Sequence, residues 1–320
     1  MNVSIGVIIA LYLLVATCLV LLSDKASVYV DLLDKKTTLS GAFIGGVMLS
    51  AVTSLPELFT SISSALLLDK PGLAMGNILG SNLFNLVILS ILVPLFLTTF
   101  TKVNIAKSHF MVGLFTWLIF GALALNYTGI LDLSLASISL TSVVIIVLYV
   151  CGIRCLSQEE SSFEDGDDQN PLTVQQVLLR FVVVAVGIVT LSICITYLTD
   201  DIATTFNLGN GLAGALFLGI ATSLPELASS IVLFRMGNYN IAIGNIIGSC
   251  IFNFMILGFT DVLYLGHGIY DFSDPKTINL LFFGAIATPL FLLMTRYNKK
   301  SVCIATSVGI IACYLAFLVV

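Results

Sequence analysis

Charge is what this sequence lacks. Of its 320 residues only 10% are Asp, Glu, Lys or Arg, where a soluble domain carries roughly 25%. No water-facing surface of ordinary polarity can be built from so few charges. Basic clusters of the kind that bind nucleic acid are missing too. There is no HExxH motif, and no pair of aspartates lies inside an apolar run. Those two absences remove metal-dependent and aspartyl intramembrane proteases, and no enzyme activity or cofactor is expected. The seven cysteines, Cys18, Cys151, Cys155, Cys194, Cys250, Cys303 and Cys313, are odd in number and scattered. They read as small hydrophobes, not as a disulfide frame or a zinc site. Neither histidine, His109 or His267, falls in the middle of an apolar run, so both read as interfacial bystanders and supply no proton relay.

What the chain has instead is hydrophobicity: 58% of its residues and a mean hydropathy of +1.09. Apolar segments fall near residues 3–23, 40–68, 72–98, 109–126, 133–152, 174–198, 209–235, 239–265, 277–295 and 301–320. A spanning helix needs about 20 such residues. The expectation is therefore an all-α membrane protein of ten transmembrane helices, with the bilayer as its main partner and the monomer as its working unit. The first run has no basic leader and no small-x-small cleavage pattern, so it reads as a retained span. With the N-terminus outside, the cytoplasmic loops hold eleven lysines and arginines and the outer loops only Lys70 and Lys276. That bias puts both termini outside a plasma or inner membrane. One polar connector, residues 153–173, holds six of the eighteen acids, Glu159 to Asp168. It lacks the ligand spacing of an EF-hand and reads as a solvated cytoplasmic linker between a first unit, 1–152, and a second, 174–320.

The two units repeat each other. TSLPEL at 53–58 returns at 222–227, and GNILGSNLFN at 76–85 returns as GNIIGSCIFN at 244–253. Five helices separate the copies. Because five is odd, the second unit must enter the membrane upside down. Such inverted-topology repeats place a binding site at the bilayer midplane, where they meet.

The repeated residues are chemically pointed. Glu57 and Glu226 are the acids expected in mid-span, where a charge costs roughly 2.5–3.5 kcal/mol on insertion scales. Pro56 and Pro225 precede them. A proline leaves the carbonyl four residues back without its helical donor, which should free the carbonyls of Val52 and Ala221. Carboxylates, loosened carbonyls and the hydroxyls of Thr53, Ser54, Thr222 and Ser223 make an all-oxygen environment suited to hard cations. The second motif adds Ser81, Asn85, Ser249 and Asn253. Its glycines, Gly76 and Gly80 with Gly244 and Gly248, are spaced for close helix packing. Two glutamates balance one Ca²⁺, and an empty pair in a dry pocket is costly. Exchange of Ca²⁺ for Na⁺ or protons keeps the charge compensated.

At these motifs the sequence resembles the cation/calcium exchanger superfamily, most closely its prokaryotic Na⁺/Ca²⁺ exchanger-like branch. The resemblance implies that Thr53, Ser54, Glu57, Ser81, Asn85, Thr222, Ser223, Glu226 and Ser249 line cation sites. It also implies alternating access by sliding of the first and sixth helices past the other eight. Some relatives carry aspartate where this chain has Asn253 or its repeat partner. An acid there accompanies K⁺ co-transport in one branch, so K⁺ dependence is not expected. The Ca²⁺/H⁺ branch has GN before the glutamate where this chain has SLP. The expected function is Na⁺/Ca²⁺ antiport, with H⁺-driven antiport of Ca²⁺ or another divalent cation as the alternative.

Overall fold

A computed structural model describes residues 5–34, 49–135, 138–157, 172–265 and 268–320. Lys35, Lys36, the start of the second apolar segment, His267 and most of the acidic linker, Glu159 and Glu160 included, lie outside the described residues. The described chain is nearly all helix. In order, α1 is Ile5–Asp34, α2 Ser50–Thr53 and α3 Leu55–Ile62, continued by a π-helical turn Ser63–Leu67. Then come α4 Pro71–Leu95, α5 Leu97–Phe100, α6 Lys107–Tyr127 and α7 Leu140–Ser157. The second unit holds α8 Val174–Thr205, α9 Asn210–Ala213, a π-helical turn Gly214–Gly219, α10 Ile220–Thr222, α11 Leu224–Met236, α12 Tyr239–Leu263, α13 Pro275–Arg296 and α14 Lys300–Val319.

Local chemistry explains where these elements begin. Pro71 and Pro275 sit in the first turn of α4 and α13, where a missing N–H costs nothing. Thr173 and Gln176 close a reciprocal capping box on α8. Gly237, at φ +80°, ends α11 in the left-handed conformation that glycine adopts without strain.

Seven of these helices are long and apolar enough to cross a membrane, or eight when the bent pair Asn210–Thr222 and Leu224–Met236, which meet at 42°, counts as one span. Two shorter apolar helices, Leu55–Leu67 and Leu140–Cys155, occupy the remaining expected segments. Among the described residues, length and composition by themselves thus account for seven or eight of the ten expected spans. The fifth segment was expected from residue 133. Instead Ser134–Leu135 (β1) pairs antiparallel with Ile138–Ser139 (β2), and the helix starts at Leu140 and runs past 152 to Ser157. The alternation in LDLSLASISL is a strand pattern. Asp261 pins the second strand, its Oδ2 accepting from the Ser139 N–H at 2.8 Å and the Ser142 hydroxyl at 2.6 Å.

Burial sorts the helices into a centre and an edge. The most apolar stretches of α4 and α12 are 78% and 83% buried, whereas those of α1 and α8 are 17% and 22% buried. The centre packs with α6, α7, α13 and α14 into one large core. The edge pair, α1 and α8, joins the molecule through two small separate clusters. One holds Ala16, Ile195, Ala213 and Leu218, the other Leu19, Val52, Val184 and Ile188.

Polar ties group the loops into the two sets that the basic-residue bias defines. At one end Lys70 pairs with Asp200, Tyr264 donates to Asp69, and the Asp274 carboxylate accepts from the Gly211 N–H at 2.7 Å. Burial, with Asp69 and Asp271 nearby, pushes the Tyr264 phenol up to about 12, so it stays a donor at physiological pH. At the other end Asn240 donates to the Asn104 carbonyl at 3.0 Å and Asn298 to that of Val103 at 2.9 Å. His109, near the start of α6, is buried.

Candidate cation site

Each TSLPEL motif breaks its span at the serine. Ser54 (φ −88°, ψ 9°) separates α2 from α3, and Ser223 (φ −91°, ψ 3°) separates α10 from α11. The proline then occupies the first turn of a new helix, and Glu57 and Glu226 follow in that same turn. There the positive end of the helix dipole favours an anion. The expected free carbonyl of Val52 is not free: a backbone N–H at the end of α2 bonds to it. The first break thus offers hydroxyls and a helix end rather than a bare Val52 oxygen.

The two glutamates are completely buried. Each is held by the other repeat. The Ser54 hydroxyl donates to Glu226 Oε1 at 3.2 Å, and the Ser223 hydroxyl donates to Glu57 Oε1, also at 3.2 Å. Ser249 adds a second donor to Glu226 Oε1 at 3.1 Å. Its counterpart Ser81 instead donates to the Gly219 carbonyl at 3.2 Å. Thr53 lies 3.5 Å from Ser249 and Thr222 lies 3.5 Å from Ser81. Eight of the ten expected site residues are therefore drawn together around two carboxylates.

Asn85 and Asn253 lie one turn beyond Ser81 and Ser249, on the same helix faces. Asn253 donates its amide to Asn82 Oδ1 at 3.0 Å, which leaves its own oxygen to face elsewhere. Neither asparagine bonds a glutamate among the described contacts. Among the described residues, four buried side-chain oxygens here have no hydrogen-bond partner: Glu57 Oε2, Glu226 Oε2, Asn85 Oδ1 and Asn253 Oδ1. Buried polar atoms in a native interior are normally satisfied. The two free carboxylate oxygens, each on a glutamate already held through its other oxygen, are acceptors that a cation would complete.

Sequence reasoning passed over Asn77 and Asn245, the asparagines of the two GN pairs. Asn77 donates to the hydroxyls of Thr60 at 2.9 Å and Ser61 at 3.0 Å and accepts from Thr222 at 3.4 Å. Asn245 donates to Ser229 at 3.0 Å and accepts from Thr53 at 3.3 Å. They brace the threonines behind the carboxylates. The signal was available, since both sit at matched positions in the repeat. Among the described residues no three acidic, histidine or cysteine side chains converge on one point. Glycine lets the walls close: a Cβ on Gly80 would lie 2.7 Å from that of Ala215.

A family model described as sodium/calcium exchanger protein matches residues 4–155 and 176–320. The inner membrane protein YrbG of Escherichia coli K12 is 27% identical over 226 residues, covering 67% of this chain and 66% of YrbG, just under two thirds of its length. The putative antiporter CaxA of Alkalimonas amylolytica is 28% identical over 265 residues, 80% of this chain and 81% of CaxA. A structure of the sodium-calcium exchanger NCX_Mj soaked with 2.5 mM Na⁺ and 0.1 mM Sr²⁺ superposes with a TM-score of 0.67 at 20% identity, covering 99% of both chains. A crystal structure of the H⁺/Ca²⁺ exchanger CAX gives 0.72 at 15% identity, covering 96% of this chain and 82% of that one. At those identities the structural likeness is one of fold.

Proposed function

Since the chain belongs to the sodium/calcium exchanger protein family, we propose that it is a cation antiporter that exchanges Ca²⁺ for Na⁺ by alternating access to one midplane site. Units 1–152 and 174–320 are inverted repeats joined by the linker 153–173. Thr53, Ser54, Glu57, Ser81, Asn85 and their partners Thr222, Ser223, Glu226, Ser249 and Asn253 form the site. One observation carries this reading: each glutamate keeps one oxygen hydrogen-bonded and one oxygen unpartnered in a fully buried pocket. Unpaired buried carboxylates are expensive. A Ca²⁺ ion, or Na⁺ in its place, supplies the missing charge and coordination together. Because the empty pocket is the unfavourable species, return without a counter-ion is suppressed, and exchange follows rather than uniport.

Protons are the alternative counter-ion, since two carboxylates can be neutralised by two protons with no ligand geometry at all. Reconstitution in proteoliposomes separates the two. ⁴⁵Ca²⁺ uptake should follow an imposed Na⁺ gradient at clamped pH; uptake driven by a pH gradient without Na⁺ would establish proton exchange. Absence of flux under either gradient would refute antiport. The monomer is the transporting unit, and both termini face outward. A cysteine at the exposed Ile130 should react with an impermeant reagent from outside and one at the exposed Tyr297 only from inside. The reverse pattern would invert the topology.

A further inference from the structure

We propose that Tyr12 is a positioning residue, a one-sided latch whose hydroxyl ties α1 to the broken span that carries Thr222, Ser223 and Glu226. The inference rests on the alternating-access reading above, but its geometry stands by itself. The edge pair α1 and α8 is the least buried part of the fold and meets the rest through two small seams. One seam, at the Lys70–Asp200 end, packs Tyr12, Val15 and Ala16 against Ala213, Leu218 and Ala221. The other packs Phe181, Val184 and Ile188 against Val52 and Leu55. The repeat offset relates the two seams, since position 12 shifted by 169 is position 181 and position 15 becomes 184. Site access requires one seam or the other to give way, because each covers one of the two broken spans.

The matched positions 12 and 181 of the two seams differ by one hydroxyl. Tyr12 Oη donates to the Phe217 carbonyl at 2.5 Å, and its ring meets the Phe217 ring edge-on with centroids 5.7 Å apart. Phe217 belongs to the π-helical turn Gly214–Gly219, a rare geometry that concentrates at functional places. That turn ends at Gly219, three residues before Thr222. Any displacement of α1 along this seam breaks the bond and takes this donor from a carbonyl in an apolar surround. At the matched place in the other seam stands Phe181, which has no hydroxyl to donate. The outer seam is therefore held by a hydrogen bond between edge and centre that Phe181 cannot make in the inner seam. The latch biases the transporter against opening outward.

Tyr12→Phe keeps the ring and removes the donor. One buried hydrogen bond shifts a two-state equilibrium about 3- to 10-fold. In the whole chain in detergent, backbone amides of 214–222 should exchange hydrogen for deuterium faster by that factor, and those of 49–55 should not change. Equal acceleration of both segments would mean mere destabilisation, and no change in either would mean the bond positions nothing; both results overturn the latch. In oriented vesicles the half-saturating Ca²⁺ should fall at the outer face and rise at the inner face, because a released latch enlarges the outward-open population. A shift in the same direction on both faces would also overturn it. If the native chain carries no Ca²⁺, the antiport reading fails, while the exchange measurement still decides the latch.

Discussion

The two halves of the candidate site match in their contacts to the carboxylates and diverge one turn away. Ser54 and Ser223 reach the opposite repeat's glutamate at the same 3.2 Å, and the Thr53–Asn245 and Thr222–Asn77 bonds differ by only 0.1 Å, at 3.3 and 3.4 Å. Beyond them the pattern splits. Ser249 bonds its glutamate whereas Ser81 bonds a carbonyl, and Asn82 has Cys250 as its counterpart. What is shared is what a divalent charge demands: two acids, each oriented by a hydroxyl from across the interface. What differs bears on how firmly each acid is held. The second repeat presents a doubly anchored carboxylate, and the first a more loosely anchored one.

The shared part should break symmetrically and by the most. Glu57→Gln or Glu226→Gln leaves Ca²⁺ with one uncompensated charge in a dry pocket. Removing one partner of a buried pair costs about 3–5 kcal/mol, or two to four decades in affinity. Each variant should abolish ⁴⁵Ca²⁺ flux while retaining a monodisperse, folded chain. Native flux from both would move the site elsewhere. The second comparison concerns the braces. Asn77 donates to two hydroxyls where Asn245 donates to one, and each accepts from one threonine, so Asn77→Ala should destabilise the chain more than Asn245→Ala by about 1 kcal/mol. Thermal unfolding in detergent reads the difference. Equal losses would mean that the Ser61 contact contributes nothing.

The serines sharpen the comparison further. A hydrogen bond to a charged group contributes about 1.5–3 kcal/mol and one to a neutral group about 0.5–1.5. Ser249→Ala, which strips a donor from Glu226, should therefore weaken Ca²⁺ binding by about tenfold or more. Ser81→Ala should weaken it only a few-fold. Isothermal titration of the purified chain would measure both, and the reverse order would mean that Ser81 is itself a ligand.

Much of this was legible in the amino-acid chain. TSLPEL and GN-I-(L/I)-GS name both halves, and the placement of Glu57 and Glu226 inside apolar runs carries the charge argument without coordinates. The cross-repeat bonds were not legible, because Ser54 and Glu226 are 172 positions apart and only the fold joins them. Asn77 and Asn245 stood in the quoted motif, yet a GN pair reads as helix packing until Thr60 and Ser229 are placed beside it. The π-helical turns at Ser63–Leu67 and Gly214–Gly219 leave no mark in hydropathy. The strand pair Ser134–Leu135 and Ile138–Ser139 did leave one, an alternation hidden by an apolar total that also suits a helix. His109 looked interfacial because it begins a helix. Its burial comes from tertiary packing that position along α6 does not reveal.

The smallest expected effect tests whether the asymmetry is needed at all. Asn253 has a partner because Asn82 offers an amide oxygen at 3.0 Å. At the matched place Asn85 has Cys250, whose sulfur is a weak acceptor and whose thiol points to the Asn82 carbonyl at 3.8 Å. Both amide atoms of Asn85 are left without a partner. Cys250→Asn would give the first half the pairing the second already has, at the expense of a slightly larger side chain in a packed interior. One new buried hydrogen bond contributes about 0.5–1.5 kcal/mol, so the thermal midpoint should rise modestly and Ca²⁺ affinity should change by less than about tenfold. A fixed Asn85 amide would also turn one oxygen permanently toward or away from the pocket, so the sign of the affinity change reports which. If the variant is less stable and transports poorly, Asn85 needs its freedom, and the loose half of the site is the half that moves.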